Sequence, residues 1–249
     1  MVGHYPPARR GSAIRFWLVA IVAGSAAALT LYLGTWQLSR ATEKLALQQQ
    51  IAQRAVLPAL DDQAVGALPA HDPSWMYRRV ELRGRWLHRY TLYLDNRQMD
   101  GRQGFFVLTP LQLADAARTV VMVQRGWVQR NFERRTALPV LVQPEGEVLV
   151  QGRIAPPPAK LYEFAGPAPG NIRQNLDLVA YARETGLALA SFCVLETGAA
   201  SDGLARDWVP VDTGVDKHRA YAFQWFALCA LIVLLFVWFQ VVRRFFHLR

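Results

Sequence analysis

Two long apolar segments lie at opposite ends of this chain, and nearly everything polar lies between them. The first runs from Phe16 to Trp36. The second runs from Ala220 to Val242, interrupted only by Gln224 and Gln240. Neither contains Lys, Arg, Asp or Glu. A helix crossing a hydrocarbon core of about 30 Å needs about 20 apolar residues, so both segments are long enough. The sequence therefore reads as a transmembrane hairpin: a tail at 1–15, a span at 16–36, a domain at 37–219, a span at 220–242 and a tail at 243–249. The domain is long enough to bury a core of its own.

The net charge of +9 has meaning only once it is divided by region. The first tail carries Arg9, Arg10 and Arg15 and no acid; the second carries Arg243, Arg244 and Arg249 and no acid. In the domain, the remaining basic residues are nearly matched by the 19 acids and form no dense run. Nucleic-acid binding is not expected of such a surface. Cationic tails beside spans favour the cytoplasm, which places both termini there and the domain on the other side. Arg40, Lys44, Lys217 and Arg219 oppose this assignment, but long loops translocate largely regardless of charge. The apolar run past Gly24-Ser25-Ala26-Ala27-Ala28 is longer than a signal-peptide core, so the first span is expected to remain as an anchor. Trp17, Trp36, Trp225 and Trp238, half of the eight tryptophans, flank the spans as an interfacial belt does. The expected location is a bacterial inner membrane, with the domain in the periplasm.

After Trp36 the helical pattern continues through Gln37–Arg54, and residues 58–76, with Pro58, Gly66, Pro69 and Pro73, read as a linker. The period then changes to that of strands. Strand patterns cover Tyr77–Trp86, Tyr90–Leu94, Gly104–Pro110, Thr119–Gln124 and Glu147–Ile154, with a short candidate at Asp207–Val211. Leu176–Glu184 is the best helix candidate in the domain. The fold class is thus a membrane protein whose two-helix hairpin flanks a β-rich (α+β) extracytoplasmic domain of five to seven strands. A barrel would suit that pattern, although strand order is not legible.

Chemistry is sparse. Of the five histidines, His4 and His247 lie in the tails, His71 in the linker, His88 after a strand and His218 before the second span, with no two at metal-ligand spacing. Cys193 and Cys229, the only cysteines, lie in the domain and the second span and are not expected to pair. No G-x-S-x-G, Walker loop or G-x-G-x-x-G occurs, so nothing argues for an enzyme.

Three segments remain. Asp95-Asn96-Arg97 reads as a turn, with a patch that meets an anionic group as the alternative. Gln124–Arg130 (QRGWVQR) reads as a hairpin or bulge around a core Trp127, or else as a cationic, aromatic patch able to meet an anionic group such as a propionate. Asp216–Trp225 (DKHRAYAFQW) is the most informative. On a helix, His218, Tyr221 and Trp225 fall at i, i+3 and i+7 on one face. That face suits an interfacial belt with a polar residue reaching the surface. The alternative is a neutral imidazole that ligates an iron porphyrin.

Several segments in order resemble one family. They are Leu33-Gly34-Thr35-Trp36-Gln37-Leu38-x-Arg40, with Lys44 beyond; Tyr77-Arg78-Arg79-Val80-x-Leu82-Arg83-Gly84; Gly104-x-x-Val107-Leu108-Thr109-Pro110-Leu111; Val121–Val128 (VMVQRGWV); and His218-x-x-Tyr221-Ala222-x-Gln224-Trp225. Together, over residues 33–226, they resemble the Surfeit-locus cytochrome oxidase assembly family. Each motif alone is weak; the ordered set inside a hairpin is specific. Gln124 stands where asparagine is usual, Asp216 likewise, and Pro156–Gly170 matches poorly.

The resemblance implies a role in assembling haem–copper terminal oxidases, with haem a as the cofactor handled. The oxidase catalytic subunit is the implied partner, and the haem a synthase a further candidate. It points to His218 as ligand of the haem iron, with Tyr221 and Trp225 beside it, and to Gly34 and Trp36 from the first motif. A scaffold without cofactor is the competing reading, in which Gly34 serves close helix packing.

Overall fold

A computed structural model describes residues 10–69, 72–131, 133, 138, 141–163, 170–200, 202–208 and 214–243. Two compact units result: Met1–Gln49 with Val211–Arg249, and Gln50–Pro210.

Among its described residues, the first unit consists of two helices, α1 (Arg10–Ala55, of which 50–55 belong to the second unit) and α4 (Val215–Val237). Both are long and apolar enough to cross a membrane. The α1 helix runs well beyond Trp36, as the unbroken pattern through Gln37–Arg54 requires. Gly214, in the left-handed region at φ 58°, begins α4, and π-type turns carry the helix on through Trp238–Val242. Apolar side chains such as Trp17, Val22, Leu29 and Leu234 stay exposed, as a lipid-facing surface demands.

Among its described residues, the second unit contains seven strands in one sheet: β1 (Arg79–Trp86), β2 (Leu92–Met99), β3 (Arg102–Leu113), β4 (Val120–Gln129), β5 (Glu147–Ala155), β6 (Ile172–Arg173) and β7 (Leu189–Glu196). The order β1-β5-β7-β4-β3 returns to β1 through a β1–β3 pairing, so these five close into a barrel. β2 and β6 extend the sheet beyond β3. Closure depends on Gly84, which faces Leu113 of β3 and Val148 of β5 at once. A Cβ there would lie 2.3 Å from the Gln112 carbonyl oxygen, so only glycine lets β1 turn from one neighbour to the other.

All five barrel strands send apolar side chains inward: Val80 and Leu82, Leu111 and Leu113, Val121 and Val123, Val150 and Ile154, Phe192 and Val194. On the other face of the sheet, Leu92, Leu94, Leu108, Met122 and Cys193 pack beneath Leu178 and Tyr181 of helix α3 (Leu178–Thr185). β4 and β7 are parallel neighbours with apolar residues on both faces, which explains why Val120–Val123 lacks alternation. Asp177 caps α3 by accepting from the Val179 and Ala180 amides, and Gly186 ends it at φ 70°. A short helix α2 (Asp62–Gly66) lies inside the expected linker.

The structure moves three local expectations. Asp95-Asn96-Arg97 is not a turn: it is a bulge within β2, with Asn96 at φ 59°. The true hairpin turn is Asp100-Gly101, with φ 50° and 74°, the two-residue connection in which both residues need positive φ. At Asp207–Val211, Asp207 and Trp208 lie in no strand, and 209–211 fall outside the described residues.

The Gln124–Arg130 segment forms no hairpin; it continues β4 through a bulge. Val107 faces Gly126 and Leu108 faces Gln124, so Arg125 is the extra residue. Trp127 is core, 4% exposed. The patch reading fails for Arg125, which is 2% exposed and therefore turned away from any outside anion. Its guanidinium lies 4.8 Å from the Trp86 ring and donates to Asp202 Oδ2 at 2.9 Å. Arg206 Nη2 meets Asp202 at 2.8 Å and Glu196 Oε1 at 2.9 Å, which ties the segment after β7 to the barrel. Burying such a cluster costs desolvation that its mutual attraction must offset.

Burial pushes the Glu196 carboxyl up to about 7; Arg206 and Arg125 pull it down and Asp202 pushes it further up. A carboxyl that holds its proton more tightly when folded favours folding at low pH. That contribution is lost as pH rises from the unfolded value of about 4.3 through the folded one. We expect the thermal stability of the purified protein to fall between pH 5 and pH 8, and Glu196→Gln to flatten that decline. A wild-type profile that rises over this interval, or an unchanged slope in Glu196→Gln, would contradict the assignment.

Candidate functional site at the paired helices

The first unit contains most of what the sequence singles out. α1 and α4 run antiparallel, since Phe16 lies near Phe236 (ring centroids 6.1 Å apart), Ala27 near Cys229, Gly34 against Phe226 and Gln37 against His218. The buried residues of the unit, among those described, are Thr30, Gly34 and Ala41 on α1 and Val215 and Ala222 on α4. Ala27, Thr30, Gly34, Gln37 and Ala41 alternate three- and four-residue steps, which keeps them on one stripe of the helix. The stripe is made of small residues with one glutamine. In a membrane, where lipid tails are as apolar as leucine, such a stripe pairs helices by close packing rather than by hydrophobic exclusion.

Gly34 sits directly against α4. A Cβ built there would lie 2.5 Å from Cε1 of Phe226, so the phenyl ring occupies the space a side chain would need. Thr30, 6% exposed, satisfies its hydroxyl within its own helix by donating to the Ala26 and Ala27 carbonyls at 2.9 Å. Across the pair, the Cys229 thiol reaches the Ala27 carbonyl at 3.4 Å. The Thr30 hydroxyl and the Cys229 thiol thus have partners where water is scarce.

Three residues on from Gly34, Gln37 reaches across the pair: its Oε1 lies 2.7 Å from Nδ1 of His218. An amide oxygen only accepts, so in this arrangement Nδ1 carries the proton. Nε2 then keeps its lone pair and, among the described residues, has no hydrogen-bond partner. His218 is half-buried, Trp225 is likewise half-buried, and Tyr221 stands 53% exposed. Trp36 points away from the stripe, 43% exposed, with the Arg40 guanidinium 5.7 Å from its ring. Arg40 in turn pairs with Glu43 at 2.9 Å.

The structure therefore joins Gly34 and His218 in one helix pair and leaves Tyr221 and Trp36 as exposed aromatic flanks. Sequence reading missed Gln37 and Phe226 as the partners of His218 and Gly34. The three-and-four spacing of small residues along α1 would have revealed the stripe; the identity of the facing residues needs the antiparallel register. Of the other histidines, His88 bonds to the Pro144 carbonyl in the second unit at 3.2 Å, and His4, His71 and His247 lie outside the described residues. Both cysteines are free, and burial pushes the Cys193 thiol up to about 12. Among the described residues no three His, Cys, Asp or Glu side chains gather as a metal cluster would require.

A five-stranded barrel with added strands, carried between two membrane-length helices that pair through a small-residue stripe, defines a membrane-anchored β-barrel protein. The chain belongs to the SURF1 family, which it matches over residues 25–230. It is 29% identical over 237 residues to a SURF1-like protein of Drosophila melanogaster, covering 87% of this chain and 75% of the fly protein. It is 28% identical over 237 residues to Surfeit locus protein 1 of Takifugu rubripes, covering 85% and 92%. A 103-residue match at 28% identity relates it to the cytochrome oxidase assembly protein SHY1 of Saccharomyces cerevisiae, covering 41% of this chain and 26% of the yeast protein.

The Gly34–Phe226 contact makes a prediction. Gly34→Leu should force the helices apart, costing about 1–3 kcal/mol as overpacking does. The apparent Tm of the detergent-solubilised protein should fall by several degrees, and Phe226→Ala in the same chain should recover part of the loss. Equal Tm values for Gly34→Leu and wild type would show that the ring does not fill that space.

Proposed function

We propose that this protein assists the assembly of a haem–copper terminal oxidase, taking up haem a at His218 and passing it to the oxidase catalytic subunit. The observation that carries the reading is the imidazole held by Gln37 through Nδ1, with Nε2 left to ligate. A ligating histidine commonly donates its other ring N–H in this way. Family membership and the yeast relative's printed role in cytochrome oxidase assembly support the same reading.

The residues present suit such a cargo. His218 would bind the iron, and the exposed rings of Tyr221 and Trp36, with half-buried Trp225, offer apolar faces for a macrocycle. Gly34 keeps the helices close enough for Gln37 to reach the imidazole. Bound haem a supplies a redox-active iron, and the chain's own contribution is to hold and orient that group. The oxidase catalytic subunit is the proposed recipient and a haem a synthase the proposed donor. Related SURF1-like proteins occur in bacteria, among them Rickettsia bellii, at 24% identity over 215 residues. We place the protein in a bacterial inner membrane, with both tails in the cytoplasm and the barrel in the periplasm, on the strength of the arginine-rich tails.

A second reading, a scaffold that stabilises an oxidase intermediate without cofactor, draws on the same Gly34 packing. One experiment separates the two. Expressed with the enzymes of haem a synthesis, the purified protein should carry haem a in near-stoichiometric amount by pyridine haemochrome, with a low-spin, histidine-type spectrum. His218→Ala should reduce the bound haem to background. Haem-free protein that still co-purifies with the oxidase catalytic subunit would establish the scaffold instead. In spheroplasts of the same cells, added protease should degrade the barrel; a protected barrel would reverse the topology.

A further inference from the structure

We infer that Gln37 is a positioning residue that fixes the tautomer and direction of the His218 imidazole. The inference rests on His218 being the haem ligand and goes beyond it by naming the group that prepares that ligand. A neutral histidine has one ring N–H, and either nitrogen can hold it. Only the Nδ1–H form donates to Gln37 Oε1 across 2.7 Å, and only that form leaves Nε2 free for a metal.

The surroundings leave this role to Gln37. Asp216, the only acid in the first turn of α4, is fully exposed and sits 3.9 Å from Arg219. Lys217 and Arg219 are exposed cations and cannot accept a proton from an imidazole. The half-buried glutamine arrives from the opposite helix, three residues from the Gly34–Phe226 contact, so it is carried by a helix rather than by a loop. A neutral amide has a further consequence. It orients the ring without the negative charge that a carboxylate partner would add, and so strengthens the imidazole as a donor to iron less than a carboxylate would. That suits a group that must later be released.

The test uses the full-length protein. In the haem-free form, nitrogen-15 spectra of labelled histidine, with the His218 signals assigned by their loss in His218→Ala, should show the Nδ1–H tautomer. Gln37→Leu should shift His218 towards Nε2–H, and Gln37→Glu should preserve Nδ1–H. In the haem-loaded form, Gln37→Leu should weaken haem retention about 10–100-fold. Gln37→Glu should retain haem and lower its midpoint potential, a response that a merely structural role would not give. An Nε2–H tautomer in the wild type overturns the role of Gln37. So does unchanged haem affinity in Gln37→Leu beside a haem-deficient His218→Ala. Full haem retention by His218→Ala instead overturns the ligand assignment itself, and the role of Gln37 falls with it.

Discussion

The packing of Phe226 against Gly34 is the constraint on which the candidate site depends. Phe226 occupies the volume that any side chain at position 34 would fill. Because the helices meet there, residues one turn away are within hydrogen-bond reach, and a glutamine meets a histidine. Helix pairing in lipid has no hydrophobic driving force of its own, so close packing and interhelical hydrogen bonds must supply it. The hairpin combines both: a stripe of small residues, a thiol on the Ala27 carbonyl, and the Gln37–His218 bond. One glycine thus links the stability of the pair to the chemistry of the imidazole.

The barrel obeys a second, separate constraint. Five strands close only because β1 can pair with β5 over most of its length and with β3 at its end, and Gly84 permits the change of neighbour. Closure removes two sheet edges, and the remaining strands β2 and β6 extend from β3. Inside lies an aliphatic core with Phe192 against Trp75; the ion cluster of Arg125, Arg206, Asp202 and Glu196 ties down the segment that follows β7. That buried chemistry belongs to the architecture of the barrel, and it explains why Arg125, within a motif as arginine-rich as Gln124–Arg130, offers no surface to a ligand.

Periodicity made much of this legible. The spans, the extension of α1 past Trp36, five of the strands and α3 were all readable. β7 (Leu189–Glu196) escaped because its apolar residues lie on both faces beside β4, which blurs the alternation that marks a strand. The Asp100-Gly101 turn carried a clear two-residue signal, but Asp95-Asn96 upstream offered similar turn chemistry and drew the assignment. For the site, His218 stood out by its helical face and its family-like motif. Gln37 did not, because its importance comes from a residue 181 positions away in sequence that only the antiparallel register brings within 2.7 Å.

If the paired helices are the working part of the protein, positions 37 and 218 must be neighbours in the native membrane as well. Cysteines at both positions, with Cys193 and Cys229 replaced, can be joined by a short bifunctional thiol reagent in isolated membranes. Paired helices should give rapid cross-linking within one chain, seen as a mobility shift on denaturing gels and lost when either cysteine is omitted. Linkage obtained only between separate chains, or only with long spacers, would contradict it.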